Sequence, residues 1–456
     1  MMKLMTLEHI TAACGGTYYG PEENLKKEAE GITIDSRKAE AGWLFAATVG
    51  ERVDGHSFIP SCYEKGALCC LGEQSPVSLE HSYIQVASTF QALKDIAEYY
   101  RSTLTIPVIG ITGSVGKTST KEMIASVLGA KYNVLKTAGN FNNEVGLPLT
   151  IFNIREEHEA AVLEMGISDF GEMHRLSKIA RPDLCVMTNI GLCHLEFLGD
   201  RDGVLRAKSE IFDFAAENAK AIVNGDDDKL RTLKERPDLS VTSFGLDPSN
   251  DICATQVENL GLDGLKCEIS TPLGSFWAHI HIPGMHMVHN ALAGTCVGLA
   301  CGLTLEEIKS GIENARTIQG RNHLIHTEDY TIMDDCYNAN PVSMKASLDV
   351  LSTALGRKVA ILGDMGELGE NERALHETVG VHAAKKGIDL LLCVGTLSEE
   401  IVKGAKNADP SIQALLFPTK EALLQELPEL LKKGDSILVK ASHFMQFEKI
   451  IAELQK

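Results

Sequence analysis

An α/β protein of three domains is what this sequence predicts, on three observations. Near-continuous apolar runs such as "VIGIT", "AAVLEMG" and "LCVMTNI" alternate with amphipathic stretches through the middle of the chain, as buried parallel strands and their crossover helices do. The alternation returns after "ARTIQGRN", where "YTIMDDCY", "KVAILGD", "LLLCVG" and "SILVKAS" are separated by helical stretches. A chain of 456 residues, 44% of them hydrophobic, is also too long for one ordinary domain and can bury several cores.

Taken in order, the first unit (1–104) is a mixed α/β segment. Short strands read from "GITIDSR", "WLFAAT" and "SYIQVAS", and a helix from "TFQALKDIAEYYRS". Pro107 marks the edge of the β-branched run that opens the second unit, 105–316. There "VIGIT" precedes the helix "TSTKEMIASVLGA", "AAVLEMG" precedes "GEMHRLSKIA", and "LCVMTNI" precedes "GVLRAKSEIFDFAAE"; "AIVNGDD" adds a strand. Residues 240–282 alternate polar and apolar more strictly, which predicts an antiparallel addition. "HNALAGTCVGLACGL" reads as a helix closed by glycine. The third unit, 317–456, has the spacing of a compact Rossmann-like sheet.

Charge and cysteine usage narrow the function. A formal net charge of −19 argues against a nucleic-acid partner, though a local cluster of cations can still receive anionic substrates. The opening "MMKLMTLEHITAACGG" does not look like a signal peptide, and no run approaches the length of a membrane span. Twelve cysteines are scattered through apolar contexts with no C-x-x-C pair, and they read as reduced thiols in a cytoplasmic protein.

The chemistry begins at "VIGITGSVGKTSTKEM". A strand delivers the chain to a glycine-rich turn, and a helix starts at about Thr118 with unpaired amides and partial positive charge that suit a phosphate. Lys117 would reach the outer phosphates and the Thr118 hydroxyl would ligate Mg²⁺; the plain alternative is an ordinary turn with a surface lysine. Ile111 stands in the first glycine position of the common G-x-x-x-x-G-K-[ST] loop, and the glycines fall at Gly110, Gly113 and Gly116. Four histidines, His279, His281, His286 and His289, also permit a zinc reading, but a Pro-Gly turn divides them and no cysteine or carboxylate completes the set.

The compact "TGSVGKT" (Thr112, Gly113, Ser114, Val115, Gly116, Lys117, Thr118) resembles the loop of the Mur ligases and their folylpolyglutamate synthetase relatives, ATP-dependent enzymes that join a carboxylate to an amine. The resemblance implies a first domain for the UDP-sugar and a central domain for ATP. It implies Glu164, at the end of "AAVLEMG", and His194, in "TNIGLCHLEFLG", as Mg²⁺ ligands. It also implies Lys208 as a carbamate contacting a second Mg²⁺, and Asn290 beside the adenine, with Met287 replacing an expected asparagine.

The end units narrow the resemblance to the MurF branch. "DSRKAEAGWLFAATVGERVDGHSF" resembles the uridine-diphosphate-sugar turns, with Ser36, Arg37 and Asp54, Gly55 and His56 at the matching positions. In "TAGNFNNEVGLPLT", Thr137, Asn140, Asn142 and Asn143 would face substrate or phosphates. "GRNHL" and "IMDDCYNANPVSMKASL" put Arg321 on the ATP phosphates, Asp335 on the ribose, and Tyr337, Asn338 and Asn340 around the incoming dipeptide. Near the end, Ala441 and His443 replace a glycine and an arginine of the family string.

The implied catalytic set is Lys117, Glu164, His194, Lys208 and Arg321. The implied reaction attaches D-alanyl-D-alanine to UDP-N-acetylmuramoyl-tripeptide through an acyl phosphate, with ATP and two Mg²⁺ ions, in a monomer. A sibling amino-acid ligase, a folate-type polyglutamylase and a non-catalytic nucleotide-gated protein remain the alternatives.

Overall fold

The computed structural model describes residues 2, 4–76 and 78–456, and they build three sheets in chain order. The first has five strands in the spatial order Thr17–Tyr19, Ser82–Gln85, Cys69–Gly72, Leu44–Ala46, Ile32–Thr33, parallel except for the Thr17 edge. The last has six: His323–His326, Thr331–Asp334, Ser436–Lys440, Lys358–Gly363, Leu390–Val394 and Gln413–Phe417, parallel except for the first.

Nine strands make the middle sheet. From one edge they run Val134–Lys136, Ala160–Glu164, Val108–Thr112, Leu184–Met187, Lys220–Asn224, Ser240–Gly245, Ile252–Asn259, Leu265–Thr271 and Gly274–Ile280. The Val108 strand lies between Ala160–Glu164 and Leu184–Met187, so chain order reverses on either side of it. Such a reversal opens a crevice at the carboxyl ends of the strands. Its faces are both covered: Val108 packs into one core, while Ile109 and Ile111 point into another with the helices Lys117–Leu128 and His286–Ala300. Double burial explains why these strands read as unbroken apolar runs.

The antiparallel addition is smaller than the alternation of 240–282 predicts. Ser240–Gly245 pairs parallel to Lys220–Asn224, and Ile252 joins it in parallel; the antiparallel part is the meander Ile252–Ile280. Ser240–Gly245 begins at an exposed end and becomes buried only over its last three residues, so its polar positions mimic a half-solvated strand. All twelve cysteines are free, most of them buried. Among the described residues, no helix is long and apolar enough to cross a membrane.

The seam near residue 104 joins two units that share one hydrophobic core, running from Met5 and Leu93 to Leu163, Met187 and Val223. Helix Thr89–Thr103 forms the joint. Its buried Arg101 donates to Ala180 O at 2.8 Å, Arg181 O at 2.9 Å and Asp183 Oδ2 at 3.0 Å, while Asp183 also accepts the Val108 amide at 2.8 Å. Arg101→Ala leaves these acceptors without their donor and is expected to destabilise the protein by about 2–3 kcal/mol. A lower denaturant midpoint by tryptophan-independent circular dichroism checks this, and Arg101→Lys should recover only part of the loss because an ammonium cannot reproduce the planar fork.

Candidate active site

The glycine-rich loop sits where strand Val108–Thr112 ends, and its shape is set from the exit of the neighbouring strand Leu184–Met187. Asn189 takes the Ser114 amide on its carbonyl at 3.0 Å and the Val115 amide on Oδ1 at 2.9 Å. Its Nδ2 donates to Val115 O at 2.9 Å, and the Thr188 hydroxyl donates to the same oxygen at 2.7 Å. The Ser114 and Val115 amides, expected to face phosphate, are therefore committed within the protein. Gly116, Lys117 and Thr118 open the helix Lys117–Leu128 and line the cleft, with Gly116 at φ +83° in the left-handed region. Asn189 and Thr188 went unassigned in the sequence; "TN" directly after an apolar strand was the available signal.

A cleft of about 890 Å³ spreads from this loop between the central and last sheets. It gathers Lys117, Thr118, Glu164, His194, Asn290, Arg321, Asp335, Tyr337, Asn338 and Asn340, brought from both units. Asn140, Asn142 and Asn143 close one side. Ser36, Arg37, Asp54, Gly55 and His56 of the first unit do not line it.

Its charges are unevenly satisfied. Lys208 is 1% exposed, and no carboxylate pairs with it among the described residues. Burial, with the Lys117 charge nearby, pushes its amine down to about 7. The half-buried Lys117 turns back on the loop and donates to Gly113 O at 2.8 Å. Glu164 is 3% exposed; Oε1 accepts from Asn142 Nδ2 at 2.9 Å, whereas the buried Oε2 has no hydrogen-bond partner, with Lys121 Nζ 3.9 Å away. An orphaned buried carboxylate oxygen is an incomplete site, and a divalent cation would complete it. His194 stands at φ +50°, held below its ordinary pKa by burial and then by Lys208. Among the described residues no three His, Cys, Asp or Glu side chains converge as a ready metal cage.

The last sheet contributes a second network. Buried Lys440 donates to Asp335 Oδ2 at 2.6 Å and to Asn338 O at 3.0 Å. The Ser347 hydroxyl and the Asn322 amide also donate to Asp335, so one lone-pair direction on Oδ1 is what remains for a ligand. The Arg321 guanidinium lies 4.0 Å from the Tyr337 ring centre with Nε buried and unpartnered. His443, in the family's arginine position, stacks on Tyr337 at 5.3 Å. Met287 Sδ accepts from Asn290 Nδ2 at 3.1 Å, and Asn290 Oδ1 accepts from Thr120.

Several of the residues expected at ligands hold neighbouring groups in place. Thr137 is buried: its hydroxyl accepts the Glu164 amide at 2.9 Å and its carbonyl accepts Lys121 Nζ at 2.7 Å, fixing the strand end that carries Glu164. His56 is buried with both ring nitrogens used, Nδ1 on Asp54 at 2.6 Å and Nε2 accepting the Glu73 amide at 2.9 Å. Asn340 caps the helix Pro341–Ser352 reciprocally with Ser343. Asn143 caps a turn through the amides of Val145 and Gly146. Ser36 accepts Lys65 Nζ on its carbonyl, and Arg37 is exposed on Asp35. The four histidines of the zinc reading split into two pairs: His279 and His281 lie with ring centres 3.9 Å apart and His279 engages Asp263 O, whereas His286 and His289 line the cleft and His289 engages Asp226.

Gly113 has φ +151°, and a side chain there would overlap the Thr188 hydroxyl that clamps the loop. Gly113→Ala is expected to weaken nucleoside triphosphate binding by at least about tenfold in calorimetric titration, with the far-ultraviolet circular dichroism unchanged.

Three family models cover the chain in the order of the sheets: "Mur ligase family, catalytic domain" on residues 28–110, "Mur ligase middle domain" on 111–298, and "Mur ligase, glutamate ligase domain" on 320–443. The UDP-N-acetylmuramoyl-tripeptide--D-alanyl-D-alanine ligase of Bacillus subtilis is 37% identical over 98% of this chain and 98% of its own. A crystal structure of MurF from Acinetobacter baumannii matches with a TM-score of 0.90 at 34% identity, over 99% of this chain and 98% of that one. MurF ligase from Thermotoga maritima, solved in complex with ADP, matches with a TM-score of 0.81 at 30% identity over 93% and 96% of the two chains. With models on all three units and relatives aligned from end to end, the chain belongs to the Mur ligase family, in its MurF branch.

Proposed function

We infer that this chain is an ATP-dependent ligase that joins D-alanyl-D-alanine to the terminal carboxylate of UDP-N-acetylmuramoyl-tripeptide, completing the pentapeptide of the peptidoglycan precursor. One observation carries the reading within the structure: among the described residues the cleft's Arg321 Nε and Glu164 Oε2 are buried without hydrogen-bond partners, and the buried Lys208, close to Lys117 and His194, has no carboxylate paired with it. Such a site is balanced by a polyanion arriving with its metal.

The chemistry follows from the substrates. A carboxylate resists attack by an amine, so it must first be activated. A tripeptide carboxylate oxygen bonds to the γ-phosphorus of ATP as the bridging bond to the β-phosphate breaks, and ADP leaves. The dipeptide amine then attacks the acyl carbon, the carbon–oxygen bond to phosphate breaks, and the nitrogen gives up a proton as phosphate departs.

Both partners of the first step are anions. Lys117, released from Gly113 O, and Arg321, oriented on the Tyr337 ring, would offset that repulsion and hold the reacting atoms in line. The free amides of Gly116, Lys117 and Thr118 would cradle phosphate oxygens. Asn290 is positioned for the adenine by Thr120 and Met287, and Asp335 for the ribose by Lys440.

The donor set fits Mg²⁺: Thr118, Glu164 and His194 would hold one ion, and Lys208 as its carbamate a second, supplying neutralisation of phosphate charge. Carbamate formation needs the free amine and carbon dioxide, and a buried lysine lowered to about 7 presents that free amine at neutral pH. Asn142 and Thr137 keep the Glu164 carboxylate aimed into the cleft.

Phosphate release from ATP should require both UDP-N-acetylmuramoyl-tripeptide and D-alanyl-D-alanine; release independent of either would refute the assignment. Lys117→Ala should cut that release by about a thousandfold or more while the fold persists. Protonation removes the nucleophilic form of Lys208 below about pH 7. Activity in bicarbonate-depleted buffer should therefore fall as pH drops through that value, with added bicarbonate restoring it in the wild type but not in Lys208→Ala.

A further inference from the structure

We propose that Glu367 is the anion that receives the amine of the incoming dipeptide and so restricts the acceptor to a free α-amino group; this rests on the ligase reading above. An α-amino group arrives largely as an ammonium near neutral pH. The cleft it must enter is lined by Lys117, Arg321 and Lys440, with Lys208 buried behind, so a second cation needs a carboxylate to recruit it.

Five carboxylates line the cleft: Glu144, Glu164, Glu172, Asp335 and Glu367. Glu144 pairs with Arg175 and Lys94, and Asp335 holds Lys440. Glu172 accepts the amides of Ser168 and Asp169. Glu164 accepts from Asn142 and turns its other oxygen to the proposed metal position. Glu367 is 83% exposed, and its recorded partner among the described residues is His194, with Oε2 3.8 Å from Nδ1. Of the five it is the one that is exposed and makes no hydrogen bond among the described residues, whereas Glu172 is half-buried and accepts on Oε2 alone.

Its placement suits the role. Glu367 comes from the last unit and reaches across to His194 of the central unit, on the side of the cleft where the acyl phosphate would form. The loop that presents it is clamped rather than loose: the Met365 amide donates to Nε2 of the fully buried His376 at 2.9 Å, and the Gly366 amide donates to Ser442 Oγ at 2.9 Å. Glu367 itself sits at φ +60°, a conformation a glutamate adopts at some cost. An exposed side chain on a fixed, strained backbone has been aimed, and what it faces is the space between the two units.

Steady-state kinetics of the full chain, with wild type, Glu367→Gln and Glu367→Asp, tests this. Hydroxylamine serves as a second nucleophile, because it is uncharged at neutral pH and traps the acyl phosphate as a hydroxamate. Glu367→Gln should raise KM for D-alanyl-D-alanine by about ten- to a hundredfold, as loss of one charged contact does. KM for ATP and the rate of hydroxamate formation should stay within about twofold, and Glu367→Asp should recover part of the loss. A dipeptide KM unchanged in Glu367→Gln overturns the proposal. So does parallel loss of hydroxamate formation, which would mean that Glu367 acts through His194 on the first step. A wild-type protein that makes neither pentapeptide nor hydroxamate would instead remove the ligase reading itself.

Discussion

Among the described residues, Lys208 is 1% exposed with no carboxylate paired to it, and the buried Arg321 Nε and Glu164 Oε2 have no hydrogen-bond partner. A folded chain sustains such a set only if other packing overcomes the desolvation, or if the missing charges come with a ligand. The rest of the architecture can be read from that constraint. The doubly covered central sheet supplies the packing, and the reversal of strand order beside Val108–Thr112 supplies the crevice in which the unpaired groups meet.

Rigidity around those groups is supplied one shell out. Asn189 and Thr188 fix the phosphate loop, Thr137 and Lys121 fix the strand end at Glu164, and Lys440, Ser347 and Asn322 fix Asp335. Each is a buried or half-buried polar group with its hydrogen bonds directed at a cleft residue rather than into the cleft. A site built to bring two anions together gains from this arrangement, because preformed donors need no reorganisation when charge moves during reaction. Arg101 does comparable work at larger scale, tying the first unit to the carbonyls that precede strand Leu184–Met187.

The cleft is assembled from two units, and this shapes the order of events. Phosphate loop, Glu164 and His194 belong to the central sheet; Arg321, Asp335, Tyr337 and Glu367 belong to the last. Contacts between them include the polar Asn322 Nδ2 on Pro283 O at 2.7 Å and the apolar packing of Leu262 against the last unit's core. A cleft between two units can open for substrate exchange and close to exclude water from an acyl phosphate. The first unit's turns, with Ser36, Arg37 and Asp54, do not line the cleft.

The sequence alone determined the α/β class with its three units, many of the strands, and the glycine-rich turn that follows Thr112, because those are local: apolar periodicity, turn residues and the run from Thr112 to Thr118 need no knowledge of distant neighbours. It also located Lys117, Glu164, His194, Asn290, Arg321 and Asp335, whose side chains converge only in three dimensions. What the tertiary structure decided is which polar residue touches solvent space and which holds another residue. Thr137 and His56 are polar residues of types that also line the cleft, yet burial and their hydrogen-bond partners make them supports, while Asn340 lines the cleft and caps a helix at once. The positioning roles of Asn189, Lys440 and Glu367 arise from partners as far as 74, 105 and 173 positions away in the chain, and such pairings are fixed only when sheets and helices pack.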